Sequence, residues 1–202
     1  MKTMVILGND KIGLSAMQIS ELTSPNFILI IDKSTNIKRV FRLVLKGRLG
    51  FVLLLKMLLC EIHRPTFPSI TKSLLEVKSN KDLISAIYKY KPSRIILFRA
   101  GLIISREVIA LGIPLMNIHC AKVPKYGGIG SIQSALTDGD FSQCATLHQV
   151  TTTIDQGIIF EEVPYILDPN KSYCCNENIA YLAGLTLLRR CLIASPVMEK
   201  ME

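Results

Sequence analysis

No two cysteines in this chain stand as a Cys-x-x-Cys pair, and no His/Cys group has the spacing of a zinc site. The six cysteines are Cys60, Cys120, Cys144, Cys174, Cys175 and Cys191. The one vicinal pair has a poor geometry for a disulfide framework, so all six read as reduced thiols of a cytoplasmic protein. A run of about 20 apolar residues, which a bilayer span needs, is also missing. The best stretch, residues 49–55, is stopped by Lys56 and preceded by Lys46 and Arg48, so no transmembrane segment is expected. The apolar run ahead of Gly8 is too short for a signal peptide. There is no internal repeat and no low-complexity linker. Acid is scarce: 16 Asp and Glu stand against 24 Lys and Arg, leaving a net charge of +8. That excess favours an anionic partner, whether phosphate, nucleotide, nucleic acid or an acidic membrane surface, without choosing among them. Apolar residues make up 49% of the 202, which argues against disorder and supplies one core. A single domain over 1–202 is predicted.

What is there begins with an alternation of strand and helix signals. Val5-Ile6-Leu7, then a turn through Gly8 and Gly13, predicts strand and turn, with a helix over 14–22. A second strand over 27–31 ends at Asp32. Continuous apolar strands of this kind belong to a parallel sheet covered on both faces. The two glycines do not complete a Gly-x-Gly-x-x-Gly fingerprint. A Leu-rich basic helix is expected over 37–60. Across residues 33–64 stand eight cations, Lys33, Lys38, Arg39, Arg42, Lys46, Arg48, Lys56 and Arg64. The segment reads either as a solvated helix face or as a surface for a phosphate-rich ligand or a membrane. Further helices are expected over 79–90, 105–110, 131–136 and 176–194. Further strands are expected over 94–98, 114–119, 144–150 and 158–164.

The chemistry concentrates where the strand 114–119 ends. Residues two apart on a strand share a face, so Asn117 and His119 project side by side before a loop rich in Pro and Gly. An amide donor beside an imidazole can polarise a carbonyl and move a proton, and the same pair can simply anchor a loop.

The order of motifs is specific. Asn117-x-His119 runs into Pro124-Lys125-Tyr126-x-Gly128. There follow Gln133-Ser134-Ala135-Leu136, Asp138-Gly139-Asp140, Ala145-Thr146-Leu147-His148, and Ile154-Asp155-Gln156-Gly157-Ile158-Ile159. Over residues 94–166 this resembles the formyltransferases that use N10-formyltetrahydrofolate. Those enzymes carry Asn-x-His-Pro, a Pro-x-Tyr-Arg-Gly loop, Gly-x-Thr-x-His and Asp-x-Gly in the same order. The resemblance implies an α/β, Rossmann-like fold: a mostly parallel central sheet flanked by helices, with an antiparallel extension. It implies a catalytic triad of Asn117, His119 and Asp155. Asn117 would donate to the oxyanion. His119, protonated or oriented by Asp155, would stabilise the same oxygen and relay a proton. Asp155 would take the proton of the attacking amine. It implies a folate pocket from Phe98, Arg99, Ala100, Gly101, Leu102 and Ile103 on one side and Val150, Thr151, Thr152, Thr153 and Ile154 on the other. No metal is needed. The chain departs from the pattern at Cys120, where Pro is usual, and at Gly127, where Arg is usual.

Three acceptors compete. The phosphoribosylglycinamide branch carries a Gly/Ser-rich phosphate loop near its N-terminus, which Gly8-Asn9-Asp10-Lys11-Ile12-Gly13 lacks. The methionyl-tRNA branch carries a further C-terminal barrel, which is not expected here. The branch that formylates amino sugars has an Asn-Lys-Ile-Gly-like turn close to residues 9–13. The expected acceptor is therefore a dTDP-linked 3- or 4-amino-deoxy sugar that feeds lipopolysaccharide O-antigen synthesis. Lys11, Lys125 and Tyr126 are the candidate substrate residues. No nucleic acid is expected as partner, and a homodimer is compatible with the resemblance. In a different class stands a non-catalytic protein that keeps the fold and docks on membrane or RNA through its basic helix.

Overall fold

A computed structural model describes residues 2–19, 22, 24–34, 44–47, 50–65 and 74–193. Its strands are β1 (Thr3–Gly8), β2 (Phe27–Asp32), β3 (Leu75–Val77), β4 (Arg94–Phe98), β5 (Leu115–His119), β6 (Ser142–Gln149) and β7 (Ile159–Ile166). Its α-helices are α1 (Lys11–Ser15), α2 (Phe51–His63), α3 (Asn80–Tyr90), α4 (Arg106–Ile109), α5 (Ser131–Thr137) and α6 (Tyr173–Ile193). The strands form one seven-stranded sheet in the order β3-β2-β1-β4-β5-β6-β7. Pairing is parallel from β3 through β5, then antiparallel between β5 and β6 and between β6 and β7. This is the predicted mostly parallel sheet, flanked by helices, with an antiparallel extension.

The apolar runs of β1 and β4 are buried on both faces because helices cover both. One core cluster lies beneath α1, α2, α5 and α6, around Val5, Leu7, Phe98, Ile118 and Leu187. The other lies beneath α3 and α4, around Met4, Ile6, Leu83, Ile95 and Leu97. β7 alternates in exposure as an edge strand does, and Pro164 with Glu161 and Glu162 keeps that edge from pairing further.

Three elements differ from expectation. The helix expected over 14–22 is α1 followed by a 3-10 turn, Ala16–Gln18. It starts three residues earlier because Asp10 caps it, its Oδ1 accepting from the Gly13 amide at 2.7 Å. Gly13 also lies so close to strand β1 that a Cβ there would overlap the Gly8 carbonyl. β3 has only three residues, Leu75-Glu76-Val77, too few to raise a period in the sequence. The expected basic helix is interrupted: Val44 and Leu45 are helical, Lys46 and Gly47 turn, and α2 begins at Phe51, after Gly50. The part expected over 37–43, with Lys38, Arg39 and Arg42, lies outside the described residues, as does Arg48.

Candidate active site

The site is built by strand register. Along β5, Met116 and Ile118 point into the core beneath α6, so Asn117 and His119 point to the opposite face. β6 runs antiparallel beside them and pairs Asn117 with His148 and His119 with Thr146. Paired residues share a face, so His148 stands beside Asn117. Asp155 comes from the β6–β7 loop and closes the group. Its Oδ1 lies 3.4 Å from His148 Nε2 and 3.5 Å from Asn117 Nδ2. Its Oδ2 lies 3.5 Å from His119 Nδ1. The amide of Gly128 donates to that Oδ2 at 2.7 Å.

Two local features hold Asp155 there. Its backbone is left-handed, φ 54°, a conformation that Asp tolerates better than most side chains. Two residues on, Gly157 approaches β6 so closely that any Cβ would overlap the Gln149 carbonyl. That contact is the physical content of the Asp-x-Gly motif: the glycine seats the loop and the seated loop aims the carboxylate.

The imidazoles are oriented by carbonyls. A carbonyl only accepts, so the 2.7 Å contact between His119 Nε2 and the Tyr126 carbonyl puts a hydrogen on Nε2. Nδ1 is then the nitrogen that faces Asp155. Burial lowers the His119 pKa, while the Asp155 charge and the Tyr126 carbonyl only partly oppose it. His148 Nδ1 lies 2.9 Å from the Gln149 carbonyl, and its Nε2 stands between Asn117 Nδ2 at 3.2 Å and Asp155 Oδ1 at 3.4 Å. Burial works against ionisation of Asp155. The hydrogen bond from His148, the charge interaction with His119 and the Gly128 amide outweigh it and hold the carboxyl at about 2. The group is therefore an ionised carboxylate, only 10% exposed, between two rings and an amide. It can accept a proton. The longest bond of Asn117, the one to Asp155, is at the weak limit of hydrogen bonding and is the one that yields to an incoming oxygen.

The loop after β5 carries His119's partner. Tyr126 is buried, and its hydroxyl donates to Asp138 and Asp140 at 3.1 and 3.3 Å. Its part in the site is its carbonyl. Lys125 is exposed, with Nζ 2.9 Å from Asp140 and 4.8 Å over the Tyr126 ring. Lys11 turns from the strand ends and donates to the carbonyls of Ile62 and Arg64, at 3.0 and 2.6 Å, closing the end of α2. As placed, the Lys11 ammonium and the Tyr126 hydroxyl are engaged within the fold. Cys120 lies on the helix-covered side, where a Cβ added at Gly184 of α6 would stand 2.5 Å from its sulfur. Burial pushes its thiol up to about 12.

The two expected folate segments meet across the sheet end. Ala100, Leu102 and Val150 pack on the same core cluster, and Ile103 and Ile154 are both more than half exposed. The Thr151 hydroxyl donates to the Thr153 carbonyl at 2.9 Å, turning its loop, and Thr152 and Thr153 lie at the exposed tip. Phe98 is fully buried, so only its backbone reaches this edge. Asp32 fixes the first segment by accepting from the Leu102 amide at 2.7 Å. Asn80 binds the Ile103 carbonyl at 2.9 Å and the Ser105 amide at 3.0 Å. Arg99 is held by Asp10 at 2.7 Å and Glu177 at 3.6 Å, and lies 4.1 Å over the Tyr181 ring. A separate cleft of about 490 Å³ opens at the ends of β1 to β4, lined by Gly8, Asn9, Asp10, Asp32, Lys33, Lys78, Arg99 and Gly101. None of Asn117, His119 and Asp155 lines it. Cleft and triad are neighbouring parts of one sheet edge, joined through the 99–103 turn. Strand ends beside the point where the order reverses, here between β1 and β4, are where ligands bind in such sheets.

Residues 60–179 match the model of the formyl transferase family. The chain belongs to this family. A methionyl-tRNA formyltransferase of Campylobacter jejuni (strain RM1221) is 27% identical over 138 residues, covering 68% of this chain and 44% of that protein. One of Francisella tularensis subsp. tularensis is 28% identical over 144 residues, covering 69% of this chain and 42% of that one. The chain thus spans less than half the length of these curated relatives. In fold it is similar to a phosphoribosylglycinamide formyltransferase from Anaplasma phagocytophilum, with TM-score 0.65, 14% identity and 94% and 84% coverage of the two chains. It is also similar to a sugar N-formyltransferase from Shewanella, with TM-score 0.62, 17% identity and 95% and 68% coverage. The family uses N10-formyltetrahydrofolate as formyl donor. Among the described residues no His/Cys/Asp/Glu group could hold a metal, and no helix is long and apolar enough to cross a membrane.

One member of the cluster has no role in the sequence reading. His148 stands there inside the Ala145-Thr146-Leu147-His148 motif without a function. The signal was present: Thr146 and His148 alternate on one face of β6, and an antiparallel partner of β5 would bring that face to Asn117.

Proposed function

We propose that this formyltransferase domain moves the formyl group of N10-formyltetrahydrofolate to the primary amine of a nucleotide-linked amino-deoxy sugar. The observation that carries the reading is the ionised, nearly buried Asp155 within 3.5 Å of Asn117, His119 and His148. The donor supplies a carbon at the formate level of oxidation. As the acceptor amine bonds to that carbon, its proton passes to Asp155, a base already poised as the anion. Asn117 gives up its long bond to Asp155 and donates to the oxygen that gains charge. His119, whose pKa burial lowers, accepts the proton at Nδ1, the atom facing Asp155. It returns the proton to the folate nitrogen as the old carbon–nitrogen bond breaks. Exposed Ile103 and Ile154 offer apolar cover for a flat heteroaromatic, and the backbone of segments 99–103 and 150–154 offers its polar edge partners.

The acceptor class is argued from the neighbouring cleft. Lys33 and Lys78 border it, Asn9 and Gly8 supply backbone at a strand end, and its volume of about 490 Å³ suits a nucleotide rather than a bare amine. A second reading, formylation of a methionyl-tRNA, is favoured by the curated relatives, which carry that name. One assay separates the readings. The protein is incubated with N10-formyltetrahydrofolate and, in parallel, dTDP-amino sugars, glycinamide ribonucleotide and methionyl-tRNA, beside His119→Ala. Mass spectrometry reads the products. A formyl group gained by an amino sugar and lost in the variant is expected. Transfer only to tRNA or to the ribonucleotide refutes the acceptor, and no transfer by folded, folate-binding protein refutes the reaction.

A further inference from the structure

We propose that α2 docks the protein on an anionic membrane surface, laying its outer face into the headgroup boundary. The helix has 13 residues, Phe51–His63. Its inner face is settled: Cys60 is buried, and Leu53 and Met57 pack against the core cluster beneath α6. Its outer face is not polar, as a surface helix's usually is. Phe51, Val52, Leu55, Leu58, Leu59 and Ile62 are each between 46 and 70% exposed. At about 100° per residue these six fall within an arc of roughly 120°, a continuous stripe along the whole helix. Such a stripe on a folded chain marks an interaction surface.

Charge identifies the occupant. Exposed Lys56 borders the stripe on one side, its ammonium 3.1 Å from Gln133 Oε1, and exposed Lys46 precedes it. Across residues 33–50 the sequence has Lys33, Lys38, Arg39, Arg42, Lys46 and Arg48 and no acid. Lys33 is paired with Glu76, and Arg64, past the far end, is paired with Glu177 and Glu61. The acids of this region are thus engaged with other cations, leaving the stripe's border positive. An apolar face with a basic border is the pattern of an interfacial helix. At roughly 20 Å long the helix lies on a bilayer rather than across it. A nucleic-acid backbone would use the cations and has no use for six aliphatic and aromatic side chains. A second copy would bring its own net charge of +8, and six residues fall far short of the roughly 20–30 a side of a stable interface.

The inference concerns a surface apart from the strand-end site and stands or falls independently of formyl transfer. The chain has no tryptophan, so Phe51→Trp places one fluorescent reporter at the start of the stripe. The full chain is titrated with phosphatidylcholine vesicles, with and without about one-third phosphatidylglycerol. A blue-shifted emission with the anionic vesicles only, and co-flotation with them, is expected. Leu55→Ser with Leu59→Ser should weaken partitioning at least tenfold. Lys46→Glu with Lys56→Glu should weaken it by roughly fivefold or more for each cation. All four positions are exposed, so an unchanged melting temperature is the control. The proposal is overturned by an unshifted emission, or by stripe variants that float like wild type. It is equally overturned if those variants instead abolish a concentration-dependent dimer in light scattering, or if salt-sensitive RNA binding is found in place of vesicle binding.

Discussion

Replacing Asp155 by Asn keeps the shape of the side chain and removes its charge. The carboxyl ionises at about 2 in the folded chain, against about 3.9 for an unperturbed Asp. By linkage that separation stabilises the fold by about 2–3 kcal/mol at neutral pH. The side chain is only 10% exposed, so solvent screening removes little of it. The sign follows from the depressed value. Between about pH 2 and 4 the unfolded chain binds the proton and the folded chain does not. The stabilisation is therefore complete above about pH 4 and disappears as the pH falls towards 2. Asp155→Asn should thus unfold about 2 kcal/mol more easily than wild type at pH 7, with the two denaturation curves converging near pH 2–3. Formyl transfer should fall by about 100- to 10,000-fold, the usual worth of a positioned proton acceptor. Urea melts across this pH range, together with single-turnover transfer assays, give both numbers. A variant as stable as wild type at pH 7, a stability gap that ignores pH, or transfer within tenfold of wild type would each refute the assignment of Asp155.

Three further substitutions probe the frame around it. Gly157→Ala forces a Cβ into the Gln149 carbonyl, so it should cost 2 kcal/mol or more in thermal melts and abolish transfer by moving the Asp155 loop. A melting temperature equal to wild type would show that the close approach is not needed. His148→Gln removes the hydrogen bond that lowers the Asp155 pKa. It should slow turnover up to about 100-fold through misplacement and move the acidic limb of the kcat/KM profile to higher pH. An unmoved limb would confine His148 to packing. Cys120→Ala removes a buried sulfur that faces Gly184, so it should cost about 1 kcal/mol of stability and leave transfer within about threefold. Loss of turnover with intact folding would make the thiol part of the chemistry.

The sequence was most readable where one physical rule acted alone. The continuous apolar runs of β1, β2 and β4 could only be strands covered on both faces. The alternation Met116-Asn117-Ile118-His119 could only aim two polar side chains one way. Both readings hold in the structure. Elements whose limits are set by contacts distant in sequence were less readable. α1 begins at Lys11 because Asp10 caps it and Gly13 can touch Gly8, and no period in residues 14–22 reports that. β3 exists because Leu75, Glu76 and Val77 find an open edge beside Ile30, Ile31 and Asp32. His148 joins the site through the register of β5 on β6, a pairing that a single strand's pattern does not contain.

The turn at residues 9–13 suggested the sugar acceptor in the sequence, and in the fold its charged side chains, Asp10 and Lys11, are already committed. Asp10 caps α1 and binds Arg99. Lys11 closes α2 through two carbonyls, and its amide donates to Glu61 at 2.6 Å. Glu177, 1% exposed, joins Arg99 to Arg64, whose carbonyl Lys11 holds. A buried ion pair of this kind is costly to break, because removing one partner strands the other charge out of water. The turn is therefore a joint that ties the ends of β1 and β4 to α2 and α6. A ligand that recruited Lys11 would have to open that joint. Under the proposed acceptor, selection would fall to groups that the joint leaves presented at the cleft: the backbone of Gly8 and Asn9, and the ammonium groups of Lys33 and Lys78. Of these two, Lys33 is restrained by Glu76. An incoming phosphate competes with that carboxylate, which is half in water and a weak rival.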